Sequence, residues 1–295
     1  MTRTASSAPT SNRSERLASR RVDTSNLTGR TVVVTGAGSG IGRATALLAA
    51  RRGATLAICD VVEAGLAETE RLAPAGAKVI GRAVDVADRD QVLSFASAVR
   101  SEAGPVDLLV NNAGVGLAAG FLDTEPSDWD WIVSINLMGV IHGCQAFVPA
   151  MVERGAGGHV ANLSSMAGFH ASPALVAYSA TKFAVLGLSE ALREELRPHG
   201  IGVTAICPGI VNTPITRSAR ARGAAADPEV RERFVAMYQR RNYGPERVAV
   251  NILRAVERNR AVAPVAPEAW ISWAVTRLSP RLAGWAARRM AAAAE

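Results

Sequence analysis

From Thr31 onward the chain alternates short apolar runs with amphipathic helical stretches, and this alternation constrains its fold more than any other feature. Apolar runs over residues 31–35, 55–59, 78–84, 106–110, 159–163, 202–207 and 260–265 have strand length and β-branched content. Helical periodicity is clearest over 41–52, 92–103, 135–153, 175–197 and 245–259. Strands that alternate with helices form βαβ units, and therefore a parallel sheet with helices on both faces. The expected fold is α/β: one doubly wound domain whose parallel seven-stranded sheet is flanked by helices. Right-handed crossovers place all strand C-termini along one edge, where ligands bind.

Organisation and composition narrow the reading. Residues 1–27 are rich in Ser, Thr and Arg and read as a disordered basic tail. Residues 28–265 form the expected domain, and 266–295 an amphipathic helical extension. No repeat or second domain is visible. The chain has 295 residues, 48% hydrophobic and 20% charged, which is a globular balance. No apolar run reaches the ~20 residues of a membrane span, and the N-terminus lacks the apolar core of a secretory signal. Cys59, Cys144 and Cys207 lie far apart in apolar settings and read as reduced core thiols, which points to the cytoplasm. The four histidines form no metal-ligand spacing. The net charge of +7 comes from arginines spread over many segments, without a nucleic-acid-reading motif, so no nucleic-acid partner is expected.

The first βα unit reads Thr35-Gly36-Ala37-Gly38-Ser39-Gly40-Ile41-Gly42 after an apolar strand and before a helix. Glycines there let the backbone approach a pyrophosphate, whose charge sits at the helix N-terminus. The spacing is G-x-x-x-G-x-G through Gly36, Gly40 and Gly42. Asp60 follows at the end of the next strand, where a carboxylate accepts hydrogen bonds from ribose hydroxyls and repels a 2′-phosphate. No Lys or Arg occupies Ala37, Gly38 or Ser39. NAD rather than NADP is therefore the expected cofactor. Alternatively, Asp60 caps the following helix.

Tyr178 and Lys182 are spaced i, i+4 on a helix, hence on one face. Lys182 is one of only two lysines, the other being Lys78. An ammonium held beside a phenol favours the phenolate, so the pair is expected to bring the tyrosine toward neutrality as an acid/base unit.

With these parts placed, the chain resembles the short-chain dehydrogenase/reductase family over about residues 27–265. The glycine turn is joined by Asp85-Val86, similar to the family's adenine-contacting pair, and by Asn111-Asn112-Ala113-Gly114 after the fourth strand. Asn136, Ser165, Tyr178 and Lys182 follow in order, and then Pro208-Gly209-Ile210-Val211-Asn212-Thr213. Ser165 rather than Ser164 matches the family's Ser-to-Tyr interval. The resemblance implies a Rossmann-type fold and reversible hydride transfer between nicotinamide and a secondary alcohol or ketone. It casts Asn136, Ser165, Tyr178 and Lys182 as the catalytic set. It assigns cofactor contacts to Gly36, Ser39, Gly40, Ile41, Gly42, Asp60, Asp85, Val86, Asn112, Ala113, Gly114, Tyr178, Lys182, Pro208, Gly209, Val211 and Thr213, and no metal. It further implies a homodimer or homotetramer built through the helices that carry Asn136 and Tyr178.

In this family the segment after the Pro-Gly motif covers the substrate. Here it interleaves Phe234, Met237 and Tyr238 with Arg217, Arg220, Arg222, Arg231, Arg233, Arg240 and Arg241. The expected lid suits a sizeable, largely apolar substrate, and the arginines read as a solvated face rather than an anion site. The Trp- and Arg-rich stretch over 267–290 reads as a cap or subunit contact in preference to a membrane-lying helix. The competing functional readings are a non-catalytic nucleotide-binding scaffold on the same fold and a membrane-associated reductase of lipid or acyl substrates.

Overall fold

The computed structural model describes residues 22–279. Seven strands form one parallel sheet: β1 (Thr31–Thr35), β2 (Thr55–Asp60), β3 (Val79–Ala83), β4 (Leu108–Asn111), β6 (Gly158–Leu163), β7 (Ile201–Pro208) and β9 (Val262–Val265). Their order is β3-β2-β1-β4-β6-β7-β9, so the chain winds outward from β1 in both directions. The seven expected strands are all present and end within a few residues of their expected limits. A two-residue parallel ladder, β5 (Leu117–Ala118) with β8 (Arg220–Ala221), stands apart and was not expected.

The strands are apolar on both faces because both are covered. On β1, Val32 and Val34 pack with Ala46 and Ala49 of α1 (Gly40–Arg51) and with Ile252 and Val256 of α9 (Pro245–Glu257). Val33 points to the other face, with Phe95 of α3 (Arg89–Ala103), Phe147 of α5 (Gly139–Arg154) and Val185 of α6 (Val176–Leu196). Burying one such side chain stabilises by about 1.5–3 kcal/mol, so the two layers hold most of the fold's apolar gain. Local signals set the helix ends. Asp88 caps α3 by accepting from the N–H groups of Asp90 and Gln91, and Gly155 ends α5 in the left-handed region at φ 63°.

The helix expected over 135–153 starts earlier. Together α4 (Pro126–Val133), a π turn (Ser134–Met138) and α5 make one helix from Pro126 to Arg154. It is long and apolar enough to cross a membrane, with mean hydropathy 1.5, but Val140, Cys144, Phe147, Val148 and Met151 pack against the sheet. Its apolar character is that of a core helix.

The expected disordered tail is corrected over 22–27. Val22, Thr24 and Leu27 are buried. Thr24 Oγ1 donates to Leu253 O at 3.0 Å, and Leu27 N donates to Arg52 O at 2.7 Å. Three well-spaced small or apolar residues dock this piece onto α1 and α9, a contact too sparse to show as periodicity. Residues 1–21 of the expected tail lie outside the described residues. In the extension, α10 (Pro267–Leu278) packs Ala269 and Trp273 against Phe169 and Cys207 beside the C-terminal end of β7. The remainder, including Trp285, lies outside the described residues.

Candidate active site

The C-terminal ends of β1, β2, β4, β6 and β7 bring the sequence-derived residues to one edge. At β1, Gly36 turns the chain at φ 64°, and a side chain there would stand 2.7 Å from Ala113 Cα. A side chain at Gly42 would meet Gly36 O at 2.1 Å, so α1 can pack this close to the turn only with glycine. Asn112 Nδ2 donates to Thr35 O at 2.9 Å and Gly36 O at 3.1 Å. Thr35 Oγ1 accepts from the N–H groups of Asn112 and Ala113, both at 3.0 Å. The turn and the Asn111–Gly114 segment are thus one cradle. Ser39 precedes α1 without a side-chain cap, and the first turn, with Gly40 and Ile41, holds no acid. That leaves its N–H groups for an anion.

Asp60 ends β2 half-buried. Its Oδ2 accepts from Gly38 N at 2.7 Å and its Oδ1 from Val62 N at 2.9 Å. It therefore shapes the glycine turn and steadies the start of α2 (Glu63–Arg71), while each oxygen keeps a further lone pair for a ribose hydroxyl. Sequence reasoning did not find Arg43. Its guanidinium donates to Thr69 Oγ1 at 2.9 Å, to Gly65 O at 3.1 Å and to Gly38 O, bracing the turn from behind. Its position directly after Gly42 was the available signal. Asp85 accepts from Ala87 N at 2.9 Å, and Val86 is buried, its carbonyl 2.9 Å from His142 Nδ1. These contacts fix the floor beyond β3.

The expected catalytic set converges. Lys182 is buried on α6, its Nζ 3.0 Å from Leu163 O and 5.6 Å from the centre of the Tyr178 ring. The Ser165 hydroxyl, which accepts from Ala167 N at 3.1 Å, lies close enough to the Tyr178 phenol to lower its pKa. Ser164, one residue earlier, is buried with its Oγ donating to Lys182 O at 2.7 Å. The structure thus turns Ser165 toward the phenol and Ser164 into the backbone.

Asn136 lies fully buried in the π turn. Its Oδ1 accepts from Val115 N at 2.8 Å, and its Nδ2 donates to Val115 O at 3.0 Å and Thr181 Oγ1 at 3.3 Å. π turns insert one residue into a helix and concentrate at functional sites. Here the insertion aims an amide at the chain beyond Gly114. A side chain at Gly114 would lie 3.1 Å from Asn136 Oδ1 and 3.5 Å from Lys182 Nζ, which places all three together.

One electrostatic expectation is corrected. Tyr178 sits above its ordinary pKa: burial raises it, and the Ser165 hydrogen bond offsets part of the rise. Lys182 is itself pushed down to about 8 by burial. Desolvation penalises both charged forms, and at the phenol it outweighs what Ser165 contributes.

Pro208 ends β7, and Gly209 N donates to Val265 O at 2.9 Å. Val211 and Thr213 are buried. Thr213 faces the glycine turn, since a side chain at Gly40 would stand 3.5 Å from its Cβ. The lid follows as α7 (Ile215–Ser218), β8, a short 3-10 turn and α8 (Pro228–Arg241). Its arginines are mostly committed. Arg222 contacts the fully buried Asp128 at 2.8 and 3.0 Å, and Arg220 reaches the same carboxylate at 3.4 Å while lying 3.7 Å over the Trp131 ring. Arg233 pairs with Glu229, Arg241 with Glu268, and Arg231 donates to Arg217 O. On α8 the rings of Phe234 and Tyr238 lie 4.7 Å apart, tilted by 47°. Burial raises the Tyr238 pKa, with smaller contributions from the charges of Tyr178 and Glu268.

Residues 30–223 match the family model for short chain dehydrogenases. The chain is 42% identical over 255 residues to the probable oxidoreductase EphD of Mycobacterium tuberculosis, covering 85% of this chain and 43% of EphD. It thus spans less than half of that relative. It is 40% identical over 250 residues to the putative oxidoreductase SadH of the same organism, covering 83% of this chain and 89% of SadH. A short-chain dehydrogenase/reductase from Burkholderia phymatum, solved in complex with NAD, superposes with a TM-score of 0.78 at 35% identity, covering 86% of this chain and 93% of that one. The glycine turn and the Tyr178/Lys182 pair at one sheet edge, together with a family match over most of the chain, lead to one assignment: this chain belongs to the short-chain dehydrogenase/reductase family.

Proposed function

We propose that the protein is an NAD-dependent dehydrogenase that interconverts a secondary alcohol and its ketone, with a fairly large, apolar small-molecule substrate. The observation that carries this reading is the Tyr178 ring 5.6 Å from Lys182 Nζ, with Ser165 beside the phenol and Gly114 of the glycine-turn cradle beside the amine. The turn fits a dinucleotide, because glycine at positions 36 and 42 lets α1 pack against the Asn112–Ala113 segment and leaves the N–H groups at the start of α1 for a pyrophosphate. When bound, nicotinamide supplies the hydride chemistry.

The chain's residues supply the rest. The turn from Gly36 to Gly42 and the free N–H groups of α1 hold the pyrophosphate. Asp60 accepts from the adenosine ribose and disfavours a 2′-phosphate, which supports NAD over NADP. Asp85 and Val86 border the adenine. Asn112, Ala113 and Gly114 line the crevice floor, and Pro208, Gly209, Val211 and Thr213 line the nicotinamide end. Lys182 donates to the nicotinamide ribose. Ser165 donates to the substrate oxygen. Tyr178 takes the hydroxyl proton in oxidation and returns it in reduction. Asn136 fixes the backbone beyond Gly114 and so keeps Lys182 in place.

Phe234 and Tyr238 give the lid a half-buried aromatic pair, which supports an apolar substrate. Phe183 and Met138, exposed on the helices that carry Tyr178 and Asn136, support a homo-oligomer through those helices. The three cysteines are buried, with thiol pKa values pushed up to about 12, in keeping with a reducing cytoplasm. The intact set of Ser165, Tyr178 and Lys182 speaks against a non-catalytic scaffold.

The test is an NAD-linked oxidation screen over steroids, retinoids, aliphatic secondary alcohols and hydroxyacyl thioesters. Reduction of NAD with at least one of these classes supports the reading. Tight NAD binding without turnover on any class favours the scaffold.

A further inference from the structure

Glu268 sits in the first turn of α10, outside every motif of the family resemblance, yet its two oxygens serve two other elements. Oε1 accepts from Ile210 N at 2.9 Å, in the loop that carries Val211 and Thr213. Oε2 accepts from Arg241 Nη2 at 3.0 Å, on the last residue of the lid helix α8. The pair is three-quarters buried on the carboxylate side. A side chain at Gly209 would stand 2.5 Å from Oε1, so this glycine is what lets the carboxylate reach the loop.

The surrounding backbone shows why the contact matters. After Arg241 the chain reverses at Asn242, in the left-handed region at φ 45°. Tyr243 O then accepts from Asn212 N at 3.0 Å. The lid therefore leaves and rejoins the body at one point, and Glu268 lies on that point. Tyr238, a half-buried ring of the lid helix, is three residues before Arg241, so a shift of the helix end moves that ring. The Glu268 carboxyl is raised by burial but held below its ordinary pKa overall, because hydrogen bonds from its own N–H, Arg241 and Ile210 outweigh that burial.

We propose that Glu268 is a positioning residue: it locks the closing end of the substrate lid and the Ile210–Thr213 loop into one arrangement. The functional meaning of that loop rests on the dehydrogenase reading above. The lock itself does not.

The test compares Glu268→Ala, Glu268→Gln, Arg241→Gln and the double variant Glu268→Gln/Arg241→Gln with the unaltered protein. Three quantities are read: tryptic cleavage at Arg231 and Arg233 in the native state, NAD affinity by fluorescence, and the KM values for NAD and for an alcohol. Glutamine keeps an acceptor for Ile210 N–H but loses the charge that holds Arg241. Glu268→Gln is therefore expected to speed lid cleavage and raise the alcohol KM while leaving NAD affinity within about twofold. Glu268→Ala loses both contacts and is expected to weaken NAD about tenfold as well, as befits a lost charge-assisted hydrogen bond. The double variant should cleave no faster than either single one, because both remove the same contact.

Lid cleavage at the unaltered rate in Glu268→Ala would overturn the proposal, as would equal losses of NAD affinity in the Ala and Gln variants, or additive effects in the double variant. If Glu268→Ala fails to fold, cleavage in Glu268→Gln and Arg241→Gln decides. If the unaltered protein binds no NAD, the dehydrogenase reading fails, and the cleavage comparison still decides the lock.

Discussion

Lys182 Nζ donates to the carbonyl of Leu163 at 3.0 Å, and this bond anchors the ammonium at the end of β6, directly before Ser164 and Ser165. The cation is thereby fixed beneath the Tyr178 ring at 5.6 Å instead of swinging with solvent. One strand end thus places both the Ser165 hydroxyl and the Lys182 amine beside the Tyr178 ring.

The pH dependence of oxidation follows. The Tyr178 pKa lies above its ordinary value, so the phenolate required for proton abstraction increases as pH rises. We predict that kcat/KM for alcohol oxidation climbs with pH through the alkaline range, while ketone reduction falls over the same range. Lys182→Met should move the oxidation limb further alkaline and lower its plateau. A pH–rate profile in both directions checks this.

Asn136 spends both halves of its amide on the Val115 backbone. Replacement by Ala leaves the half-buried N–H and C=O of Val115 without these partners, at about 1 kcal/mol or more. The expected outcome is a lower melting temperature and a kcat reduced at least about tenfold, because the segment beside Lys182 loosens. Thermal melts and steady-state kinetics measure the two effects.

Asp128 joins α4 to the lid strand β8 through Arg222 and Arg220, about ninety residues further along the chain. Its carboxyl is held below the ordinary range, first by the Arg222 hydrogen bond, so the pair is intact at neutral pH. Asp128→Asn should speed tryptic cleavage of the lid and raise the alcohol KM, with NAD affinity within about twofold because the cradle is untouched. A lid cleaved at the unaltered rate would mean the pair does not hold it.

His159 is buried against Thr204 Oγ1 at 2.8 Å, and its pKa is pushed down to about 3 by burial, with Arg193 adding to the fall. The unfolded value is near 6.5. Stability is therefore fully present above about pH 6.5 and is lost as pH falls toward the folded value, since only the unfolded chain takes up the proton. Urea midpoints between pH 7.5 and 5 should decline in the unaltered protein and flatten in His159→Gln, apart from the smaller contribution of half-buried His170.

Much of this molecule is legible in its sequence because apolar runs and their glycine punctuation are local signals. β1, the turn at Gly36 and the helix from Gly40 follow from 21 consecutive residues, 31–51. Tyr178 and Lys182 are found because a helix puts i and i+4 on one face. What escaped is non-local or too short to have a period. The β5–β8 ladder is two residues on each side, and nothing near Leu117 announces Arg220 as its partner. Asp128 reads as an ordinary acid early in a helix until the lid folds back over it. The sign of the Tyr178 shift was missed because spacing reveals the neighbouring charge but not the depth of burial. Glu268 looked like part of a basic tail, since its partners lie 27 and 58 residues away.

The central claim is that the Tyr178 phenol carries the proton of the alcohol. The most direct measurement is NADH formation by Tyr178→Phe with the best alcohol from the screen, beside NAD binding by fluorescence. We predict NAD affinity within about twofold of the unaltered protein and turnover lowered by about 10³-fold or more. Turnover at the unaltered rate, with the variant folded and NAD bound, would contradict the account.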